Sequence, residues 1–346
     1  AYEIRLSLVG SEMCIRDRTY SLLRDLSHEH FVSGAKLAEK YGVSRSAISD
    51  ALHDASEAGI GIFSLTRKGY RLAEPIELLD LNRIRAALGS SANRVDVEVL
   101  ASIDSTNSEL MRRAIAGAPS GMCIASESQT AGRGRRGRVW HSALGSSLTF
   151  SLLWRFDRGA AQLAGLSLVV GLAVSRALAN LTDGSLRDPG SIGLKWPNDV
   201  VACGAKLAGV LIESQGDMLG PTSVVIGIGI NVNLSEAMRA SIDQPVTDMR
   251  MLCDRLPSRN LMLARVLQEL VIALDEFQRA GFRTFKSAWT AQHTLHGKPV
   301  RVLHVDGSAI DATVKGVADD GVLVVTVKGK DLHIAAGEVS LRASSK

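Results

Sequence analysis

Between residues 81 and about 297 the chain alternates apolar, β-branched runs with longer stretches of helical periodicity, and this alternation limits the possible folds more than any other feature. Helical spacing covers 105–116, 161–181 and 261–277. Strand-like runs fall at 97–103, 122–127, 147–154, 192–196, 209–213 and 224–232. Interleaved strands and helices predict a mixed α/β domain, because each sheet face needs a covering layer. The chain has 346 residues, 46% of them hydrophobic, which is ample for a core of this kind and for smaller flanking units.

The flanks follow different rules. From Lys298 to Leu341, β-branched runs at 300–305, 322–327 and 332–334 are punctuated by Asp306-Gly307, Asp320-Gly321 and Gly329. Each is a hairpin signal, and together they predict a small β-barrel. Upstream, in residues 19–80, Leu22, Leu23 and Leu26 mark one short helix, and Ala35, Leu37, Ala38 and Tyr41 mark a second. Gly42-Val43 makes a turn and Ser44 stands at an expected N-cap. Ala47, Ile48, Ala51, Leu52 and Ala55 then form one apolar stripe, with Arg45, Ser46, Ser49 and His53 opposite. Two short strand-like runs, 60–65 and 69–72, are joined by Thr66-Arg67-Lys68. The arrangement resembles a winged helix-turn-helix, and an ordinary helical bundle fits the same pattern. Arg45, Ser46, Ser49, Arg67 and Lys68 are its candidate DNA contacts. Asp50, Asp54 and Glu57 oppose that reading, since phosphate attraction supplies most non-specific affinity. The segment holds seven Lys/Arg against nine Asp/Glu, although the whole chain carries +4.

Several classes are excluded by what is missing from the pattern. Residues 159–175 carry no charge, but three glycines, Gln162 and two serines dilute them, so a buried helix is expected and no membrane span. Cys123, Cys203 and Cys253 form no CxxC pair, and the histidines form no HExxH motif. His28/His30 and His293/His296 read as surface pairs, no structural metal is expected, and a reducing cytoplasm fits best. The run 7–17 resembles a peptide produced when sequencing-adapter DNA is translated, so residues 1–18 are read as a non-native leader.

Chemistry concentrates in a few places. Gly132-Arg133-Gly134-Arg135-Arg136-Gly137 matches G-x-G-x-x-G, yet no amphipathic helix follows the third glycine, so the dinucleotide-binding reading fails on context. Four arginines, Arg133, Arg135, Arg136 and Arg138, among three glycines instead suit an anion-binding loop whose forked guanidiniums grip carboxylate or phosphate. An RGG-like nucleic-acid patch is the alternative, weakened by the absence of repetition and aromatic interleaving. Lys195-Trp196-Pro197-Asn198-Asp199 brings a cation, an amide and a carboxylate to a strand end, and Lys206-Leu207-Ala208-Gly209 puts a lysine at the start of another strand. The stretch 227–231 carries two glycines in a run whose alternation argues for a strand.

These blocks, with Asp104-Ser105-Thr106-Asn107, Gln129-Thr130-Ala131 and Gly227-Ile228-Gly229-Ile230-Asn231-Val232-Asn233, resemble the motif series of the biotin-protein ligases in order and spacing. With the flanking segments, the resemblance is to the bifunctional ligases that also repress biotin biosynthesis genes. It implies an α+β chain in three parts: a winged helix-turn-helix over 19–80, a mixed α/β biotin/lipoate-ligase-like catalytic domain over 81–297, and a small SH3-like β-barrel over 298–346. It implies ATP with Mg²⁺, biotin as substrate, a biotin carboxyl carrier protein as acceptor, operator DNA, and a homodimer when biotinyl-AMP is bound. Ser105, Thr106, Asn107, Gln129, Arg133, Gly134 and Arg135 would hold biotin. Lys206, catalytic with Arg135, would meet its carboxylate and the α-phosphate. Arg138, Lys195, Asn198 and Asp199 would meet phosphates, Asp199 also the metal, and Asn231 would lie near the adenine, under a loop from 235–254. A lipoate-protein ligase shares the implied fold and adenylation chemistry.

Overall fold

The computed structural model describes residues 19–57, 60–182, 186–188, 190–216, 220–304, 308–335 and 339–343. The leader assigned to 1–18 and the Asp306-Gly307 hairpin signal lie outside them.

Residues 19–25 form helix α1, followed by α2 (Gly34–Tyr41) and α3 (Arg45–Glu57). Gly42 adopts φ 62° and closes α2, as the turn requires. Ser44 Oγ accepts from the Ala47 amide at 3.1 Å, so it caps α3 as expected. Leu22, Leu37, Ile48, Ala51, Leu52 and Ala55 bury together into one small core. Strands β1 (Ile62–Leu65) and β2 (Gly69–Leu72) complete the unit as an antiparallel wing.

After α4 (Leu81–Leu88), the central part is built on seven strands: β3 (Asp96–Ile103), β4 (Met122–Gln129), β5 (Ser147–Phe156), β6 (Ile192–Lys195), β7 (Asp199–Ala202), β8 (Ala205–Gly216) and β9 (Thr222–Asn231). Their order is β3-β4-β5-β9-β8-β7-β6, with β3 and β4 parallel and every other neighbour antiparallel. Helix α5 (Thr106–Ile115) covers one face, packing Leu110 and Ala114 on Ile124, Leu153 and Val225. The opposite face, with Phe150, Leu152, Ile226, Ile228 and Ile230, is covered by α6 (Leu166–Leu181) and, beyond the short α7 (Glu236–Ala240) and α8 (Met249–Leu252), by α9 (Arg259–Ala280). The apolar run read as a buried helix is α6; it begins at Leu166, after a 3-10 turn at Ala160–Leu163, with Gly165 at φ 81° as its N-cap.

Past α10 (Lys286–Gln292), strands β10 (Pro299–His304), β11 (Ala309–Val317), β12 (Leu323–Val327), β13 (Lys330–Ile334) and β14 (Val339–Ala343) form an antiparallel sheet in the order β13-β12-β11-β10-β14. Among the described residues its two ends do not pair, so the expected barrel is here a sheet with two edges. Val300, Val314, Leu323 and Val325 join the main core, and Trp196 Nε1 donates to the Gly321 carbonyl at 3.1 Å. Trp196, 2% exposed, is thus buried where this sheet docks.

One buried cluster joins the amino-terminal unit to the sheet. Arg259 and Glu127, 3% and 4% exposed, pair at 2.8 Å. Glu127 also accepts from the Leu79 amide; Arg259 donates to the carbonyls of Glu77 and Ser147, each at 2.8 Å. Asn260 accepts from the Asp80 amide at 2.7 Å and donates to the Leu78 carbonyl. The connecting residues 77–80 are thus tied to α9 and β4. Removing one partner of a buried pair strands the other charge and costs about 3–5 kcal/mol. Arg259→Met is expected to lower the melting temperature by roughly 10 °C, measured by differential scanning calorimetry.

Candidate functional site

The α5 side of the central sheet has a bare patch, and strand register explains it. Thr149 pairs with Gly229, which pairs with Gly209; one row on, Ser151 pairs with Gly227, which pairs with Leu211. Three glycines thus point no side chain into the space beyond the α5 N-terminus. A Cβ on Gly229 would lie 2.3 Å from Trp140 Cε2, and one on Gly227 would lie 2.2 Å from Asn107 Oδ1. The indole of Trp140 and the amide of Asn107 occupy what those side chains would fill. The resulting cleft encloses about 450 Å³ of space, part of it open to solvent.

Its floor is polar and internally satisfied. Ser105 caps α5, and Gln129 Oε1 accepts from the Thr106 amide at 2.8 Å and its hydroxyl at 3.2 Å. Ser151 Oγ lies 2.6 Å from Asn107 Oδ1 and 2.7 Å from Thr106 Oγ1, so its one proton serves either. Asn107 Nδ2 donates to Glu213 Oε2 at 2.8 Å. Ser105, Thr106 and Asn107 are each less than 5% exposed, so their polar groups are held in fixed positions.

Over the floor folds the arginine-glycine loop. The Trp140 amide donates to the Gly132 carbonyl at 2.9 Å and the Gly134 amide to the Arg138 carbonyl at 2.7 Å, with Arg133 and Val139 bridged between them. Arg136 and Gly137, at φ 60° and 71°, make the turn. Arg133 Nη2 meets Glu213 Oε2 at 2.9 Å, and Arg135 Nη1 donates to Asn198 Oδ1 at 3.2 Å. Burial holds the Arg135 pKa below its usual value; Asp199 opposes that shift, and Arg138 and Arg136 add to it. Arginine nevertheless remains cationic at neutral pH.

Lys206 stands at the rim with Nζ 2.8 Å from Asp199 Oδ1 and 5.7 Å from the centre of the Trp140 ring. Both charged side chains are under a fifth exposed, so the attraction is only partly screened. One carboxylate already paired with a lysine is not a metal cage. Among the described residues no three His, Cys, Asp or Glu side chains cluster for a metal. A divalent ion carried in by a ligand could take Asp199 as a protein donor.

Ser105, Thr106, Asn107, Gln129, Arg133, Gly134, Arg135, Asn198 and Lys206 all line this one cavity. Asp199 joins them through Lys206. Arg138, exposed, and Lys195, opposite Asp199 in the β6–β7 pair, lie outside the lining. Asn231, expected near the adenine, lies outside the lining: 3% exposed, it donates to the carbonyls of Lys206 and Thr247. Lys206 also bridges Val246, which brings part of the expected covering segment to the rim. Trp140, Ser151 and Glu213 were missed, although Trp140 follows the arginine run directly and Glu213 is a lone charge in an apolar strand.

On the amino-terminal unit, Arg45, Ser46 and Ser49 lie exposed along α3, and Arg67, at φ 65°, and Lys68 lie exposed at the wing tip. Asp50, His53, Asp54 and Glu57 are exposed on α3 as well.

Known proteins resemble the chain along nearly its whole length. The model described as the biotin/lipoate A/B protein ligase family matches residues 99–231, a helix-turn-helix domain model matches 18–71, and a biotin protein ligase C-terminal domain model matches 295–342. The bifunctional ligase/repressor BirA of Salmonella typhimurium is 35% identical over 94% of this chain and 97% of its own length. The biotin--[acetyl-CoA-carboxylase] ligase of Mycobacterium tuberculosis is 33% identical over 78% of this chain and 97% of its own. Among solved structures, biotin protein ligase from Aquifex aeolicus in complex with biotin and ATP superposes with a TM-score of 0.61 at 30% identity, over 72% of this chain and 99% of that one.

The glycine rows make a direct stability test. Gly227→Ala forces a methyl against Asn107 and is expected to cost about 1–3 kcal/mol, the usual range for overpacking. Gly134→Ala, whose Cβ would meet Arg138 at an ordinary 3.4 Å, is expected to change stability by less than about 0.5 kcal/mol. Urea denaturation of both variants checks the contrast.

Proposed function

The chain belongs to the biotin protein ligase family, and from that premise we propose that it is an ATP-dependent biotin-protein ligase which also acts as a biotinyl-AMP-dependent repressor. In the first reaction the biotin carboxylate attacks the α-phosphate of ATP, giving biotinyl-5′-AMP and pyrophosphate. In the second, a lysine amine of a biotin carboxyl carrier protein attacks the acyl carbon, and AMP leaves. The single observation that carries the reading is the cavity over the glycine rows, polar at its floor and cationic at its rim.

The floor suits the fused urea ring of biotin. Thr106, Asn107 and Gln129 offer donors and acceptors at fixed positions, while Leu211 and Trp140 supply apolar wall. At the rim, attack of one anion on another requires positive charge aimed at the developing phosphorane. Lys206 is held there by Asp199 and by its stapled backbone; Arg135 is held by Asn198. Magnesium travelling with ATP would neutralise phosphate charge when bound. Arg133 and the loop turn lie where they can shield the mixed anhydride from water. We assign Arg138 and Lys195 to the outer phosphates.

Removing one preorganised donor of this kind typically costs about 10²- to 10³-fold in rate. Lys206→Ala is expected to reduce biotin-dependent exchange of pyrophosphate into ATP by that factor. Undiminished exchange in the variant would remove Lys206 from its role.

The repressor role rests on the exposed polar face of α3 and the cationic wing tip, which transfer of biotin does not need. The fold supports a winged helix whose α3 enters the major groove while Arg67 and Lys68 meet phosphates. Biotinyl-AMP would favour the homodimer that binds a palindromic operator in the cytoplasm. In a gel-shift assay on DNA upstream of biotin genes, binding is expected only with biotin and ATP present, and Arg67→Glu is expected to weaken it at least severalfold. Adenylate-independent or absent binding of the unaltered protein would refute repression.

A further inference from the structure

Strand β8 presents Gly209, Leu211 and Glu213 in turn on the α5 face. Beside Glu213 in the register stands Val225, which packs with Leu153 and Ile124 in the apolar cluster under α5. The Glu213 carboxylate, about a quarter exposed, borders this apolar cluster and accepts from two donors. One is Asn107 Nδ2 at 2.8 Å, from the start of α5; the other is Arg133 Nη2 at 2.9 Å, from the arginine-glycine loop. Both donors belong to residues that line the cavity, whereas Glu213 itself does not.

We infer that Glu213 is a positioning residue for adenylate formation: it fixes which end of the Asn107 amide faces the ligand, and it anchors the arginine-glycine loop before any ligand arrives. The inference rests on the ligase reading for its kinetic part. An ionised carboxylate only accepts hydrogen bonds, so Asn107 must turn its NH₂ toward Glu213 and its oxygen toward Ser151. That oxygen, 2.6 Å from Ser151 Oγ, is then the acceptor offered to the cavity. Were residue 213 an amide, it could donate as well as accept, and Asn107 could turn over. The second bond acts on the loop. Arg133 is nearly half exposed, and its ion pair with Glu213 holds the loop to β8 across the cavity mouth. Exposed pairs are weak individually, which suits an anchor that must yield to an anionic substrate.

Glu213→Gln in the full chain tests both actions, because the side chain keeps its size and loses only its charge and its acceptor-only character. Loss of a charge-assisted hydrogen bond predicts a biotin KM raised roughly tenfold, with kcat for pyrophosphate exchange within about twofold of the unaltered enzyme. Trypsin supplies a readout that needs no activity, since the loop carries Arg133, Arg135, Arg136 and Arg138. In ligand-free Glu213→Gln, cleavage within the loop is expected to be several times faster than in the unaltered protein, at an unchanged melting temperature. Unchanged KM together with unchanged cleavage overturns the inference. So does a parallel fall in kcat and melting temperature, which would mark Glu213 as merely structural. If the unaltered protein shows no biotin-dependent exchange, the ligase reading fails instead, and the trypsin comparison alone decides whether Glu213 anchors the loop.

Discussion

The site depends on side chains that are absent. Gly209, Gly227 and Gly229 stand in register on adjacent strands, and their missing Cβ atoms let the Trp140 ring and the Asn107 amide approach the backbone of the sheet. Glycine in a strand interior weakens it, so three together mark a place where ligand space takes precedence over local stability. The loss is offset around the patch, where β5 and β9 pair along ten residues each and the opposite sheet face is buried under α6 and α9. A rigid sheet with one uncovered area can hold its reading groups to the tolerance that chemistry needs.

A second constraint sets how the parts meet. The Arg259–Glu127 pair is fully enclosed, and its other hydrogen bonds run to backbone groups of Glu77, Leu79 and Ser147. Such a pair contributes little net stability against an apolar substitute, but it tolerates only one arrangement of its surroundings. It also lies close to the site along the chain: Glu127 is two residues before Gln129, and Ser147 begins β5. From the other side, Leu144, between the loop and β5, packs with Ile76 against the core of the amino-terminal unit. The position of the winged helix and the position of the ligand loop are therefore set by the same short segments.

How far these features could be read from sequence follows from which physical signal each one leaves. Six of the seven central strands and three long helices were visible because one face of each is buried and the apolar period survives; β7, only four residues long, was not marked. Strand β8 extends to Gly216 beyond its expected end at 213, because Ser214 and Gln215 are exposed and break the alternation. Strand β11 was missed altogether: Asp311 and Lys315 on its exposed face and a bulge between Val314 and Gly316 hide its pattern. Within the site, charged and glycine-rich blocks were legible. Ser151 and Glu213 were not, since their roles arise only when register places them beside Asn107. Nor does motif membership reveal that the Asn231 amide donates to the carbonyls of Lys206 and Thr247.

The G-x-G-x-x-G match shows why spacing alone misleads. In a dinucleotide fold those glycines open a helix whose free amides and dipole meet the phosphates. Here three of the loop amides, of Gly134, Arg138 and Trp140, are already bonded to carbonyls within the loop, and the turn ends in extended backbone at Arg138. Little main-chain dipole remains to attract an anion. Positive charge must come from side chains instead, which accounts for four arginines in six residues where a helix N-terminus would need none. Guanidinium groups on a small hairpin can also be repositioned as charge moves from carboxylate to phosphorane to acyl phosphate, whereas helix amides stay fixed. On the proposed ligase reading, the loop's composition follows from binding a reacting anion without a helix to hold it.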